Sequence, residues 1–476
     1  MDLTPHAPKG SLVWSDEVLD LHGQLIDAPE PVYIVGGAVR DALLRYPIRD
    51  VDLVTAAGQG IKLARRIANI LRGDLYVMDA ERDVARALIE TPSGRLNVDV
   101  SGFRGADLAS DLVERDFTIN AMAVDLRGDL GLLVDPLGGE RDLIEKRIRR
   151  CRPHSLDSDP IRALRAVRHS VQLGARIEPE TVADIRRLAP ELRSTSPERV
   201  RDEFFKLLEL QRPHTALRVA ETLGLMRVIL PDAASGDDWP LALTVVERLA
   251  QIFVTISPRR TDSSAAVFGL GMIVMALDRF RGQLQHQLEE RLVSERSLLS
   301  LHMVAALLMH AAPPAEAAAR AMDLLRLSSA EASRLESLLR LHRHPAFETL
   351  PDALAAHRYW YDAGTAGIDA ALFMLARVLA ESSTGLDQDA WIKRLERVRV
   401  LFEAYFERYE TVVAPPPFLD GYALQTELGL KPGRLIGDLL RVLREAQVTG
   451  DVTDRESALA LARAQVDQDR PSSSSR

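Results

Sequence analysis

The stretch VYIVGGAVRDALLRYPIRDVDLVT, residues 32–55, decides the fold, because two short runs of strand character flank a glycine turn and a helical segment. The first run ends in Gly36-Gly37, and a helix is expected from near Ala38. Paired glycines let a backbone approach a ligand closely, and the amides and dipole of a following helix start favour an anion, so a phosphate chain suits this turn. Arg40, one turn in, adds a charge-assisted contact. A plain strand-to-helix connection has the same appearance. In the second run, Asp50 and Asp52 occupy alternate strand positions and project from one face. Two carboxylates side by side repel unless a cation joins them. Magnesium prefers carboxylate oxygens and substrate phosphates, and a pair of such ions stabilises both oxygens of an in-line displacement. A turn-capping Asp50 with a solvated Asp52 is the alternative for such a pair standing alone. Asp99, in RLNVDVSGFR, lies on the face opposite Val98 and Val100 and is a candidate third catalytic carboxylate, with a solvent-facing aspartate as an equal alternative.

Outward from this stretch, the first 145 or so residues carry further β-rich runs (DLYVM, RLNVDV, NAMAVDL) among helical stretches, as in a small sheet carrying helices. From about Asp159 the pattern is helical, in segments such as PIRALRAVRHSVQL and AAVFGLGMIVMALDRF. Pro415, Pro416 and Pro417 cannot continue a helix and mark a hinge, and RPSSSSR reads as a disordered end. At 476 residues, 46% of them hydrophobic, the chain has material for several cores. No apolar run approaches the roughly 20 uncharged residues of a membrane span, and MDLTPHAPKG is not a signal peptide, so a cytoplasmic protein without a membrane is expected. The single cysteine, Cys151, excludes an intramolecular disulfide and a multi-thiolate metal site. The net charge of −9 argues against an overall basic coat, yet arginines and lysines crowd the segment from Arg141 to Arg176, which leaves room for a local phosphate-binding surface.

Two further segments have plain structural readings. In DSDPIRALRAVR, Asp159 before Pro160 has the form of an N-cap followed by proline at the first helical position. Arg162, Arg165 and Arg168 then spread over one face, with Ile161, Leu164, Val167 and Val171 as an apolar stripe, as in any amphipathic surface helix. In RDFTINAMA, Phe117, Ile119 and Met122 look like core, and Asn120 like a partner for buried backbone groups.

Taken in order, VGGAVRDALL, DVDLVT, ERDFTINAMA, DPLGGERDLIEKRIR, DPIRALRAVRHSVQLG and SPERVRDEFFKLL resemble the polymerase-β-type nucleotidyltransferases, specifically the bacterial class II tRNA nucleotidyltransferase and poly(A) polymerase family. The likeness covers roughly residues 31–208. It implies an α+β fold: a polymerase-β-like head with a small mixed sheet (12–145), then an all-α neck bearing a nucleotide-selecting helix (146–212), a helical body (213–410), a helical tail that binds tRNA (411–465) and a disordered end (466–476). The resemblance implies that Gly36, Gly37 and Arg40 engage a triphosphate, that Asp50 and Asp52 hold Mg2+, and that Arg115, Asp116 and Asn120 meet the sugar and phosphate side of the nucleotide. Asp159 and Arg162 would select the base, with Arg165 and Arg168 on phosphate or sugar. Cytosine and adenine each present an exocyclic amino donor beside a ring-nitrogen acceptor, which an aspartate and an arginine match and which uracil and guanine reverse. Two positions depart from the family pattern: Glu114 stands where an arginine is usual, and Ser158 where an acid is usual.

Resemblance fades from about 213 to 410. Many relatives carry a phosphohydrolase module there, but this chain lacks its His-Asp pairs, so no second metal site is expected, and His302, His310, His342 and His344 read as core or surface residues. The segment from Phe418 to Ala462 resembles the tail of bacterial tRNA nucleotidyltransferases, with Pro432-Gly433 and Gly437 open to an RNA phosphate, Arg434 where relatives often have proline, and Thr453 and Glu456 as a capping box. The implied activity is addition of C, A or both from CTP and ATP to the 3′ end of a tRNA or another RNA. A poly(A) polymerase, a CC-only or A-only enzyme, and a silent RNA-binding homologue remain alternatives, and the oligomeric state is left open.

Overall fold

The computed structural model describes residues 1–92, 94–257, 268–293, 296–382 and 385–469. The chain divides into two units, Met1–Leu210 with Thr215–Ile229, and Gln211–His214 with Leu230–Arg476.

The first unit runs through α1 (Asp16–Leu25), β1 (Val32–Val35), α2 (Gly37–Leu44), β2 (Asp50–Thr55), α3 (Gly60–Leu71), β3 (Asp74–Asp79), β4 (Val84–Thr91), β5 (Gly94–Gly102), α4 (Leu108–Val113) and β6 (Ala123–Asp125). Its six strands lie in the order β3-β4-β5-β2-β1-β6. β2 and β5 are parallel, and every other neighbouring pair is antiparallel, which makes the expected mixed sheet. Alternation sorts the side chains between its faces. Ile34, Val51, Leu53, Ala85, Ala87, Val98 and Val100 turn to one side, into a core with Val18 and Leu21 of α1, Val39 of α2, and Leu63 and Ile67 of α3. On the other side Val35, Val54 and Ala123 pack with Leu108 and Leu112 of α4. The polar positions of β2 and β5 share that second face, so one set of alternating residues builds the core while the other is left for chemistry.

Beyond the sheet come α5 (Gly139–Ile144), α6 (Arg162–Leu173), α7 (Pro179–Leu188) and α8 (Pro197–Leu208), and here the pattern is helical as expected. The second unit contains no β-strand among the described residues. Its helix Trp239–Ile256 is, by length and composition, apolar enough to cross a membrane. The expectation concerned uncharged runs, and Glu247 and Arg248 interrupt this one in sequence without breaking its apolar face. Val245, Val246, Leu249 and Ile252 of this helix are fully buried, and it packs against helices Leu298–Leu308 and Ala366–Glu381. His302 and His342 are core residues here.

Two expectations at the end of the chain need correction. The last helix, Arg455–Asp469, is capped by Asp454 with Ser457 and not by Thr453 with Glu456: the Ser457 backbone N–H donates to Asp454 Oδ1 at 2.8 Å, and the Asp454 N–H to Ser457 Oγ at 3.2 Å. The helix starts one residue later than the expected box requires, so the reciprocal pair moves with it. Residues 466–469, expected to be disordered, continue this helix because Val466 packs into a core with Leu424, Leu439 and Leu443. The rest of the expected disordered end, 470–476, lies outside the described residues.

Leu53 is 1% exposed between β1 and β5. Leu53→Ala is expected to destabilise the first unit by about 2–5 kcal/mol, read as a lower urea midpoint for its unfolding transition. A change of less than about 1 kcal/mol would mean that the sheet is not packed on this face as described.

Candidate active site

The parallel register of β2 and β5 sets Asp50 beside Asn97 and Asp52 beside Asp99, and the antiparallel register of β4 sets Arg86 beside Asp99. With neighbouring strands about 4.8 Å apart, three carboxylates form a row on the polar face. Each is held differently. Asn97 Nδ2 donates to Asp50 Oδ1 at 2.7 Å. Arg86 grips Asp99 with two bonds, Nε to Oδ1 at 2.6 Å and Nη2 to Oδ2 at 2.8 Å. Asp52 has no such clamp. Its carboxyl is raised above the ordinary aspartate range by loss of hydration among the surrounding protein atoms, an effect that Asp99 and Asp50 reinforce and that Arg115 and Arg165 oppose. Among the described residues no three ligating groups converge on one point. The donor set nevertheless fits a hard divalent cation, since crowded carboxylates need a positive charge and such an ion takes much of its coordination from phosphate and water.

The glycine turn closes over this row. Gly36 has φ of 74° and ψ of −133°, a conformation for which glycine is suited. A Cβ placed there would stand 3.1 Å from Asp52 Oδ2 and 3.2 Å from Arg115 Nη1. The carboxylate and the guanidinium therefore both face the position that a side chain at Gly36 would fill. Arg115 is in turn fixed by Asp111, a fully buried residue that accepts from Nε at 3.0 Å and Nη2 at 2.8 Å. Arg40, on α2, is buried and already engaged: it forks onto Asp41 through Nε at 2.9 Å and Nη2 at 3.0 Å, and its Nη1 donates to Asn120 Oδ1 at 2.8 Å.

Asn120 leads into a buried polar network. Its Nδ2 donates to Asp116 Oδ1 at 3.1 Å and lies 3.3 Å from His169 Nε2. Asp116 also accepts from the Phe117 N–H at 2.8 Å and from Arg165 Nε at 2.8 Å. Burial by itself would raise the Asp116 carboxyl, but Arg165 and these hydrogen bonds outweigh it and hold the group well below the usual carboxylate range. His169 is 2% exposed, edge-on to Phe117 with ring centroids 6.0 Å apart. Burial, then Arg168 and Arg40, keep its imidazole neutral. With Nε2 accepting from Asn120, the proton is assigned to Nδ1, which has no partner among the described residues.

The start of α6 corrects the sequence reading. Asp159 does not cap the helix: residues 156–163 wind through successive turns, with Asp159 N–H on Leu156 O, Arg162 N–H on Asp159 O and Ala163 N–H on Pro160 O, and α6 begins only at Arg162. The Asp159 carboxylate is thereby free to meet α8, where Arg199 Nη2 donates to its Oδ2 at 2.7 Å. Among the described residues the side chains of Asp159 and Arg162 do not bond to each other. Arg162 is held by backbone: Nη1 donates to Ser155 O at 2.8 Å and Arg115 O at 3.2 Å, and Nη2 donates to Glu114 O at 2.8 Å. Arg168 is turned to Glu203 on α8.

Of the residues singled out from sequence, the structure thus gathers Gly36, Asp52 and Arg115 into one cluster, with Asp50 and Asp99 in the same carboxylate row. Arg40, Asn120, Asp116 and Arg165 form another. A Cβ placed at Gly37 would stand 3.5 Å from Arg40 Nη2, the side chains of Asp159 and Arg162 have separate partners, and Arg168 serves a helix contact. Asp111, His169 and Arg199 were not identified as site residues. Asp111 with Arg115, and Arg165 with His169, are four residues apart, and that spacing was the one local signal.

The family described as Poly A polymerase head domain matches residues 32–149, and that described as probable RNA and SrmB-binding site of polymerase A matches 174–236. The chain is 31% identical over 444 residues to the CC-adding tRNA nucleotidyltransferase of Geobacter sulfurreducens, covering 92% of this chain and 93% of that protein. It is 28% identical over 451 residues to the A-adding tRNA nucleotidyltransferase of Deinococcus radiodurans, covering 91% and 95%. Among solved structures, the complex of a CCA-adding enzyme with ATP shares the fold at a TM-score of 0.65 and 22% identity, over 95% of this chain and 96% of that one. The Thermotoga maritima CCA-adding enzyme complexed with tRNA does so at 0.59 and 23%, over 95% and 96%.

Gly36→Ala places a methyl group against Asp52 and Arg115 in a disfavoured backbone conformation. It is expected to cost about 1–3 kcal/mol of stability and to abolish nucleotide binding by titration calorimetry; undiminished binding would exclude this turn from the site. His169 gives a pH signature. The unfolded chain protonates this histidine near its ordinary value of 6.5 while the folded protein resists. Its contribution to stability is therefore full above about pH 6.5 and lost as pH falls below that. His169→Gln is expected to flatten the loss of stability between roughly pH 6.5 and 5, and an unchanged slope would contradict a neutral buried imidazole.

Proposed function

We propose, for a chain that belongs to the tRNA nucleotidyltransferase family, that it adds C, A or both from CTP and ATP to the 3′ end of tRNA and releases pyrophosphate. The observation that carries this is the space beside Gly36, where a Cβ would stand 3.1 Å from Asp52 Oδ2 and 3.2 Å from Arg115 Nη1: a close backbone turn, a carboxylate and a fixed guanidinium within one short span. That grouping suits a triphosphate whose negative charge must be held while a metal-facing carboxylate stays free.

In this reading Gly36 and Gly37 receive the triphosphate along their backbone, with Arg115 and Arg40 supplying positive charge. Enzymes of this family need divalent metal ions; Mg2+ on Asp50 and Asp52 would supply acidity to the attacking 3′-hydroxyl and charge to the departing pyrophosphate. Asp99 completes the carboxylate row and keeps Arg86 beside it. Asp116 and Asn120 orient the sugar side, and Arg165, bonded to Asp116, extends positive charge toward Asp52.

Base selection falls to Asp159 and Arg162. Arg162 spends three of its five N–H donors on the carbonyls of Glu114, Arg115 and Ser155. Two remain for a ring-nitrogen acceptor. Arg199 takes Oδ2 of Asp159, which leaves Oδ1 to accept from an exocyclic amino group. Cytosine and adenine satisfy both side chains. Uracil and guanine place acceptor against acceptor and donor against donor, and sites of this kind reject such partners strongly.

The finer division belongs to the same proposal: a catalytic head over 12–145, a selecting neck over 146–212, a body over 213–410 and a tRNA-binding tail from 411. The separate tail core around Leu424 and Leu439 supports that last boundary. So does the open space at Gly433 and Gly437, at and near the start of helix Arg434–Thr449. The acceptor makes a cytoplasmic site of action part of the reading.

Incubation with Mg2+, labelled CTP or ATP and tRNAs ending before, within or after CC is expected to give C addition, A addition or both. A long A tract would select a poly(A) polymerase, and no product a silent homologue. Asp50→Ala and Asp52→Ala are each expected to reduce incorporation below detection with an unchanged circular dichroism spectrum. Activity retained in either would sink the metal-site assignment.

A further inference from the structure

Arg162 owes its orientation to carbonyls from two separate segments, Glu114 and Arg115 on one and Ser155 on the other. The direction of its two uncommitted N–H groups is set by where those carbonyls stand. The segments are tied by Ser155 Oγ, which donates to Arg115 O at 3.1 Å, and by the Cys151 N–H on Asp116 O at 3.3 Å. Ser158 Oγ adds a bond to Ser155 O at 3.0 Å. Among the described residues one link between them is ionic: Arg152 Nη2 donates to Glu114 Oε2 at 2.6 Å. Glu114 is also the residue whose carbonyl receives Arg162 Nη2, so its side chain and its backbone are held from opposite partners.

Arg152 and Glu114 side chains are 38% and 39% exposed, and a pair so exposed adds little to overall stability. Yet the Nε of Arg152 is buried without a hydrogen-bond partner among the described residues, a cost accepted where the contact to Glu114 is made. A weak contributor to folding that sits one peptide from the base-selecting guanidinium is suited to local alignment.

We infer that the Glu114–Arg152 ion pair is a positioning device for nucleotide selection, acting through the carbonyls that orient Arg162. The inference rests on the reading of Arg162 as a base-recognising group. Loss of the pair frees the Glu114 peptide to shift and lets the guanidinium plane turn, which blurs the distinction between bases. Asp50 on β2 is held by Asn97, outside both segments, and stays in place.

The test measures kcat/KM of the full chain for CTP, ATP, UTP and GTP with an acceptor tRNA, in wild type, Glu114→Gln, Arg152→Gln and the double exchange Glu114→Arg with Arg152→Glu. Each single variant is expected to lower the ratio of CTP or ATP to UTP or GTP by about three- to tenfold. The saturating rate with the preferred nucleotide should stay within about twofold, and the exchange should recover most of the ratio. An unchanged ratio in folded single variants, an equal loss for all four nucleotides, or no recovery in the exchange would overturn the inference. A wild type that incorporates all four nucleotides alike, or none, would overturn the reading of Arg162 itself, whereas a selective wild type with equally selective variants removes only the role of the pair.

Discussion

The site depends on a buried negative charge at Asp116. Removing a carboxylate from water is costly unless every lone pair finds a donor. Here the donors come from three directions: the adjacent Phe117 backbone, Asn120, and Arg165 on α6. Because Arg165 belongs to the helix and Asn120 to the segment beside the sheet, satisfying one carboxylate fixes the distance between the two. The Arg165 side chain is 36% exposed, so solvent screens part of the pair, but a drift of α6 from the sheet would still take a donor from the buried Asp116 carboxylate.

That constraint links the two halves of the chemistry. On the sheet side, Asn120 passes the fixed position to Arg40 on α2, the helix that follows the glycine turn, where Asp52 and Arg115 face the space beside Gly36. On the helix side, α6 carries Arg162 one turn before Arg165 and meets α8 through Arg168 and Glu203, while Arg199 of α8 holds Asp159. In the proposed reading, phosphate chemistry and base choice thus share one anchor. A base read by Arg162 has a defined relation to a triphosphate at Gly36 because both refer back to Asp116.

Much of this was legible in the sequence where chemistry follows a short repeat. Asp50, Asp52 and Asp99 alternate with Val51, Leu53, Val98 and Val100, and strand periodicity alone puts the acids on one face. The glycine turn was legible for the same local reason. Strand β4, VARALIET, was not, since alanine, leucine and glutamate favour helix and only its pairing with β3 and β5 makes it a strand. Asp159 misled because an aspartate before proline looks like a cap, while its actual partner, Arg199, is forty positions away. His169 and Asn120 meet across 49 positions, and no spacing rule signals such a contact. Asp99 was legible as a member of the row but not as the partner of Arg86, because that pair is set by antiparallel register.

A crystal structure with Mg2+ and a non-hydrolysable CTP analogue bears most directly on the claim that protein side chains serve as the template. The triphosphate should lie along Gly36 and Gly37 beside Asp50 and Asp52, with the cytosine ring nitrogen facing the uncommitted N–H groups of Arg162 and its amino group facing Asp159 Oδ1. A triphosphate bound at the turn with the base directed away from Arg162 and Asp159 would contradict it.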